Sequence, residues 1–221
     1  MKFDLLSKSD QAYHINKAST LVEALPYIRE HSGKNIVIKY GGHAMVDTRL
    51  ANSFSQDIGL LKEVGINPIV VHGGGPQIGN MLKRKNIKSN FIEGLRVTDK
   101  ETVKVVEEVL SKDINSKIVK EISETGGKAI GLSGHLNDII EAEKLKIAIK
   151  NSDSNIEKIL DLGFVGKPIK VNCDIIIENI SKGYIPVIAP LGQDKDKRIY
   201  NINADTAAGT VAKELKSRRL L

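Results

Sequence analysis

Lys39 ends the β-branched run Ile36-Val37-Ile38, and Gly41-Gly42 follow just beyond Tyr40. A second β-branched run, Ile69-Val70-Val71, leads through His72 into Gly73-Gly74-Gly75, where Pro76 opens a helical pattern. A strand feeding a glycine turn at a helix N-terminus presents backbone N–H groups and the positive end of the helix dipole. Two such turns and one strand-end lysine point to a site for phosphate or another anion. A lysine placed there either snorkels to solvent or neutralises charge on a transferring phosphoryl group. Each glycine turn alone could equally be a tight strand-to-helix connection.

The spacing excludes two common phosphate sites. A dinucleotide fingerprint needs glycine at the first, third and sixth places. Counted from Gly73, the third is Gly75 but the sixth is Ile78. A P-loop needs G-x-x-x-x-G-K-[ST]. The nearest approach, Gly163 to Lys167, has the wrong spacing and runs into Pro168.

Other polar residues extend the candidate site. Arg96, in Gly94-Leu95-Arg96-Val97-Thr98, offers a planar fork that suits a carboxylate, or is an ordinary surface arginine. Asn201-Ile202-Asn203-Ala204-Asp205 precedes the last helical pattern. Asn203 or Asp205 is expected to cap that helix, and the surplus amide and carboxylate could hold a substrate amide or orient a lysine. His72 reads as a buried, hydrogen-bonded histidine rather than a base. Phosphoryl transfer to a carboxylate needs no base, because the acceptor is already ionised at neutral pH. The other histidines, His14, His31, His43 and His135, show no metal-ligand spacing, so no metal ligand is assigned. The single cysteine, Cys173, excludes an intrachain disulfide framework and multi-cysteine zinc. It opens an apolar helix and reads as a buried, inert thiol.

The elements that position these residues follow from periodicity. Residues 1–18 are polar and read as an N-terminal arm, either mobile or a short helix. Residues 19–221 read as one substrate-binding lobe. Thr20-x-x-Glu23 resembles a capping box, and Pro26 predicts a kink or a late helix start. Strands are expected at 35–40, 67–72, 128–132 and 184–189, with short strands at 138–150 and 162–171 around a polar loop, 151–158. Helices are expected at 48–64, 76–85, 173–182 and 204–216. A long helix runs from the Asp99 cap to the Gly126-Gly127 stop. Residues 87–98 read as a hairpin or loop. Strands alternating with helices predict an α/β fold, a mostly parallel sheet with helices on both faces. Ligands of such sheets sit at the carboxyl ends of strands. Lys39, Gly41, Gly42, Gly73, Gly74 and Gly75 all fall there.

Composition narrows the partners. With 41% hydrophobic and 27% charged residues in 221, the chain suits one sizeable soluble domain or two small ones. The net charge of +6 is spread along the chain and interleaved with acids, and aromatics are 4% with no Trp. Stacking platforms for nucleic acid are therefore scarce, and no nucleic-acid partner is expected. The N-terminus lacks the apolar core of a signal peptide, and no apolar run reaches the roughly 18 residues of a membrane span. The expectation is a cytoplasmic protein with no membrane partner.

Five segments taken together carry a resemblance. They are Ile36–Met45 (IVIKYGGHAM), Ile69–Ile78 (IVVHGGGPQI), Gly94–Asp99 (GLRVTD), Gly183–Gly192 (GYIPVIAPLG) and Tyr200–Gly209 (YNINADTAAG). In order and rough spacing they resemble the acetylglutamate kinases of the amino acid kinase family, from about residue 19 to the end. The segment ALPYIREHSGK is similar to the arginine-sensitive members, which implies a homo-oligomer formed through the N-terminal segment. The resemblance implies that MgATP phosphorylates the side-chain carboxylate of N-acetyl-L-glutamate, in arginine biosynthesis. It implies that Lys39 stabilises the transferring phosphoryl group and that Asp205 organises the catalytic lysines. Gly41, Gly42 and Gly73 would hold phosphate. Gly74, Gly75, Arg96 and Asn201 would bind acetylglutamate, with Arg96 on its α-carboxylate.

Two departures stand out. Where the family has a Lys-Asp pair, this chain has Gly134-His135-Leu136-Asn137-Asp138. The family also continues beyond Arg218-Arg219-Leu220-Leu221 into a nucleotide-binding lobe. The expectation is a substrate lobe that lacks the main ATP site and is nearly inactive alone. The alternatives are a non-catalytic acetylglutamate-binding or assembly module, and a kinase of another carboxylate or carbamate.

Overall fold

The computed structural model describes residues 7–150 and 157–221. In chain order the elements begin with α1 (Lys8–His31), β1 (Asn35–Tyr40), α2 (Thr48–Glu63), β2 (Asn67–His72) and α3 (Gly75–Arg84). A small hairpin follows, β3 (Phe91–Ile92) and β4 (Leu95–Arg96). Next come α4 (Lys100–Glu108), a π-helical turn (Val109–Ile114) and α5 (Asn115–Glu124). Then follow β5 (Ala129–Ser133), β6 (Ile140–Lys150), β7 (Glu157–Val171), α6 (Asp174–Ser181), β8 (Ile185–Ala189), β9 (Leu191–Gln193) and β10 (Ile199–Ile202). Helix α7 (Ala204–Glu214) and β11 (Arg219–Leu220) end the chain.

Five strands form one parallel sheet in the order β11-β1-β2-β8-β5. Its central strands are apolar on both sides because both faces are covered. Along β1 the side chains alternate. Ile36, Ile38 and Tyr40 join the core under α2, α4 and α5. Val37 joins the opposite core, with Ile176 of α6 and Ala207, Ala208 and Val211 of α7. Strands β6, β7, β9 and β10 close into a small barrel beside this sheet. Within it β10 lies parallel to β7 and antiparallel to β9, which carries Asn201 to the carboxyl edge of the main sheet.

The α/β reading and the parallel sheet agree with this architecture; several local expectations do not. Helix α1 is continuous from its Ser7 cap through Pro26, so the boundary drawn between 18 and 19 falls inside it. None of its 24 residues is buried, so water can take the carbonyl that Pro26 leaves without a donor. The Thr20 hydroxyl donates back to the Asn16 carbonyl instead of capping a new helix. The long helix after Asp99 is interrupted by the π turn. The two short strands of the 138–171 region are a long antiparallel ribbon, with register shifts at Glu141/Ala142 and Lys144/Lys146. The expected polar loop at 151–158 overlaps β7 at Glu157; its other part, 151–156, lies outside the described residues. Strands β9 and β11, of three and two residues, are too short to leave a periodic signature. Among the described residues, no helix is long and apolar enough to cross a membrane.

Candidate active site

The site starts from strand register. Tyr40 pairs with His72 across β1 and β2, so the two glycine turns leave the sheet side by side. The Gly73 N–H donates to the Tyr40 carbonyl at 2.7 Å, which ties one turn to the other strand. Lys39 Nζ lies 3.1 Å from Asp205 Oδ1 at the start of α7. Asp205 is free for this because Asn203 caps the helix, accepting from the N–H groups of Asp205 and Thr206 at 2.9 and 3.0 Å. The Lys39 and Asp205 side chains are 32% and 70% exposed, so the pair adds little to stability. Its consequence is orientation: the ammonium is held over the strand ends. Gly41 leaves it room, since a side chain there would meet Lys39 Cε and Nζ at 3.2 Å.

The triple glycine has unequal members. A Cβ on Gly74 would lie 2.5 Å from Ile114 Cδ1 and 2.6 Å from Leu110 Cδ2, so a side chain there would have to displace both methyl groups. A Cβ on Gly75 would meet nothing within 4 Å. Gly74 is the N-cap of α3 and brings no side-chain cap, so the first N–H groups of α3 remain available to an anion.

Arg96 is buried at 8% exposure. Its Nη2 donates to the Gly75 carbonyl at 2.9 Å, and its Nη1 donates to the Ser89 hydroxyl. The guanidinium carbon sits 4.5 Å from the centre of the Phe91 ring. Burial lowers its pKa, yet a guanidinium stays cationic. Among the described residues, two of its five donors serve these contacts, which leaves three for a ligand. One cleft of about 300 Å³ is lined by Lys39, Gly41, Gly42, Gly73, Gly74, Gly75, Arg96, Asn201 and Asp205. The geometry thus brings these nine residues together, whereas Cys173 lines a different cleft. The Gly134–Asp138 turn does not line the cleft at Lys39.

Sequence reasoning missed Asn115. This buried amide donates to the Val187 carbonyl at 2.9 Å and faces His72 Nε2 at 3.2 Å. The available signal was weak: Asn115 adjoins the apolar stripe of Leu110, Ile114 and Ile118 in a stretch otherwise rich in polar residues. His72 is fully buried, and its Nδ1 lies 2.9 Å from the Gly73 carbonyl. These two contacts assign a neutral ring with its proton on Nδ1. Cys173 caps α6 half-buried, and burial pushes its thiol pKa up, which suits an inert role.

A model of the amino acid kinase family matches residues 34–221. The chain belongs to the amino acid kinase family. It is 55% identical to the acetylglutamate kinase of Rhodospirillum centenum over 205 residues, covering 93% of this chain and 67% of that one. It is 53% identical to the acetylglutamate kinase of Erythrobacter litoralis, covering 92% and 68%. A solved structure from Streptococcus mutans superposes with a TM-score of 0.72 at 28% identity, covering 84% of this chain and 70% of that one. The chain therefore spans about two thirds of the length of these amino acid kinase relatives.

Burial holds His72 neutral and lowers its pKa from 6.5 to about 4. Between those values the unfolded chain binds more protons than the folded one. Stability linked to His72 is thus fully present above about pH 6.5 and is lost as pH falls towards 4, on a scale of about 3 kcal/mol. Urea unfolding at pH 7, 6 and 5 checks this. The fall in stability is expected to be shallower in His72→Gln; parallel curves for the two proteins would exclude His72 as its source.

Proposed function

We propose that this chain transfers the terminal phosphoryl group of MgATP to the side-chain carboxylate of N-acetyl-L-glutamate, an early reaction of arginine biosynthesis. The observation that carries this reading is the single cleft. It joins a strand-end ammonium, an uncapped helix N-terminus and a buried arginine with spare donors. The names of the relatives supply the substrate. An ionised carboxylate oxygen attacks the terminal phosphorus as the bond to the bridging oxygen breaks, giving an acyl phosphate and ADP. No proton has to move. Lys39, oriented by Asp205, stabilises charge on the phosphoryl oxygens. Gly41 and Gly42 offer backbone N–H groups to phosphate, whereas the Gly73 N–H donates to the Tyr40 carbonyl, so Gly73 shapes the turn instead of donating to the ligand. Gly74 and Gly75 lie nearest the acetylglutamate, and Arg96 with Asn201 binds its α-carboxylate. Among the described residues Asp205 is the only carboxylate lining the cleft, so Mg²⁺ would come on the phosphate oxygens rather than in a protein cage.

Self-association through α1 belongs to the same reading. The helix exposes Tyr13, Leu21, Val22, Leu25 and Tyr27 to solvent. Light scattering of the intact chain is expected to give a multimer, reduced in mass by Leu21→Glu with Leu25→Glu. A monomer in both cases would contradict it.

Trapping the acyl phosphate with hydroxylamine tests the reaction. N-acetyl-L-glutamate is expected to give product where glutamate and aspartate do not. Lys39→Ala is expected to lower the rate by about 10²–10³, and Arg96→Ala to raise KM. Equal rates for wild type and Lys39→Ala would refute the reading. Acetylglutamate binding that depends on Arg96, without turnover, would match a substrate lobe served by a separate nucleotide site.

A further inference from the structure

Leu110 and Ile114 of the π turn stand beside the Gly73–Gly75 turn: a Cβ on Gly74 would lie 2.6 Å from Leu110 Cδ2 and 2.5 Å from Ile114 Cδ1. The π turn is in turn held by a polar stripe on the same helical segment: Glu107, Ser111 and Asn115, four residues apart. Glu107 Oε1 lies 3.3 Å from His135 Nε2. Ser111 Oγ lies 2.8 Å from Ser133 Oγ, and Ser133 Oγ lies 2.9 Å from His135 Nδ1. Asn115 closes the stripe on Val187 and His72. In a plain α-helix, residues four apart drift by about 40° per step around the axis. The wider π turn takes up that drift and keeps all three side chains on the strand ends.

Ser133 and His135 are buried, and none of Glu107, Ser111, Ser133 and His135 lines the substrate cleft. They cannot touch substrate directly. We propose that Ser111, Ser133 and His135 are positioning residues for acetylglutamate: they pin the π turn to the end of β5, and Leu110 and Ile114 transmit that position to the Gly74 amide. The proposal rests on the function inferred above.

The test uses the full chain and two readouts: amide hydrogen exchange, and calorimetric affinity for N-acetyl-L-glutamate. Ser111→Ala is expected to speed exchange at residues 73–78 and to weaken affinity by about fivefold. Exchange in the central strands at 67–72 and 185–189 should stay at the wild-type rate. Ser111→Thr, which keeps the hydroxyl, is expected to restore both readouts. Glu107→Ala, at a partly exposed site, is expected to give a smaller effect of the same kind. It carries the comparison if Ser111→Ala does not fold. Wild-type exchange at 73–78 in the variants, or faster exchange throughout the sheet, would overturn the proposal. If the wild type binds no acetylglutamate, the functional reading fails, while the exchange comparison still decides the positioning role.

Discussion

The parallel register of β1 on β2 places Tyr40 opposite His72, and the site follows from that pairing. With this register the two glycine turns emerge together, and the Gly73 amide bonds across to Tyr40. A shift of one residue would turn Ile36, Ile38 and Tyr40 to the wrong face and move Lys39 from the sheet edge into a core. The apolar alternation along β1 and β2 therefore fixes the position of the lysine as firmly as any contact it makes. The Lys39–Asp205 pair, open to solvent, then only has to select a rotamer.

Charge is distributed unevenly around this edge. The cleft holds a helix N-terminus, an ammonium and a guanidinium against one carboxylate. Directly behind it the polar groups are neutral and mutually satisfied: His72 with Asn115 and the Gly73 carbonyl, and Asn115 with Val187. Burial keeps the His72 ring unprotonated. The preorganised positive groups thus face the ligand alone, the arrangement that electrostatic stabilisation of a transferring phosphoryl group requires.

Much of this was legible in the sequence, for a physical reason. Lys39, the glycines, Arg96 and the Asn201–Asp205 turn lie at element ends, where residue type is dictated by local geometry and by ligand. The β-branched runs gave β1 and β2 to the residue, because strands buried on both faces are apolar throughout. Less legible was whatever depends on distant partners. The π turn lies where Ser111 and Asn115 find hydrogen-bond partners on β5, β8 and β2. The extent of α1 was hidden because an exposed helix needs no apolar stripe. The reason for glycine at 74 was also hidden, since Leu110 and Ile114 approach it from another helix.

The most direct check of the central claim is a titration of ¹⁵N-glycine-labelled protein with N-acetyl-L-glutamate, followed by amide chemical shift. A cleft that holds this anion through its glycine turns gives saturable shifts at Gly73, Gly74 and Gly75, while Gly126, Gly127 and Gly183 stay still. Unmoved resonances at 73–75, or shifts confined to glycines outside the cleft, would contradict it.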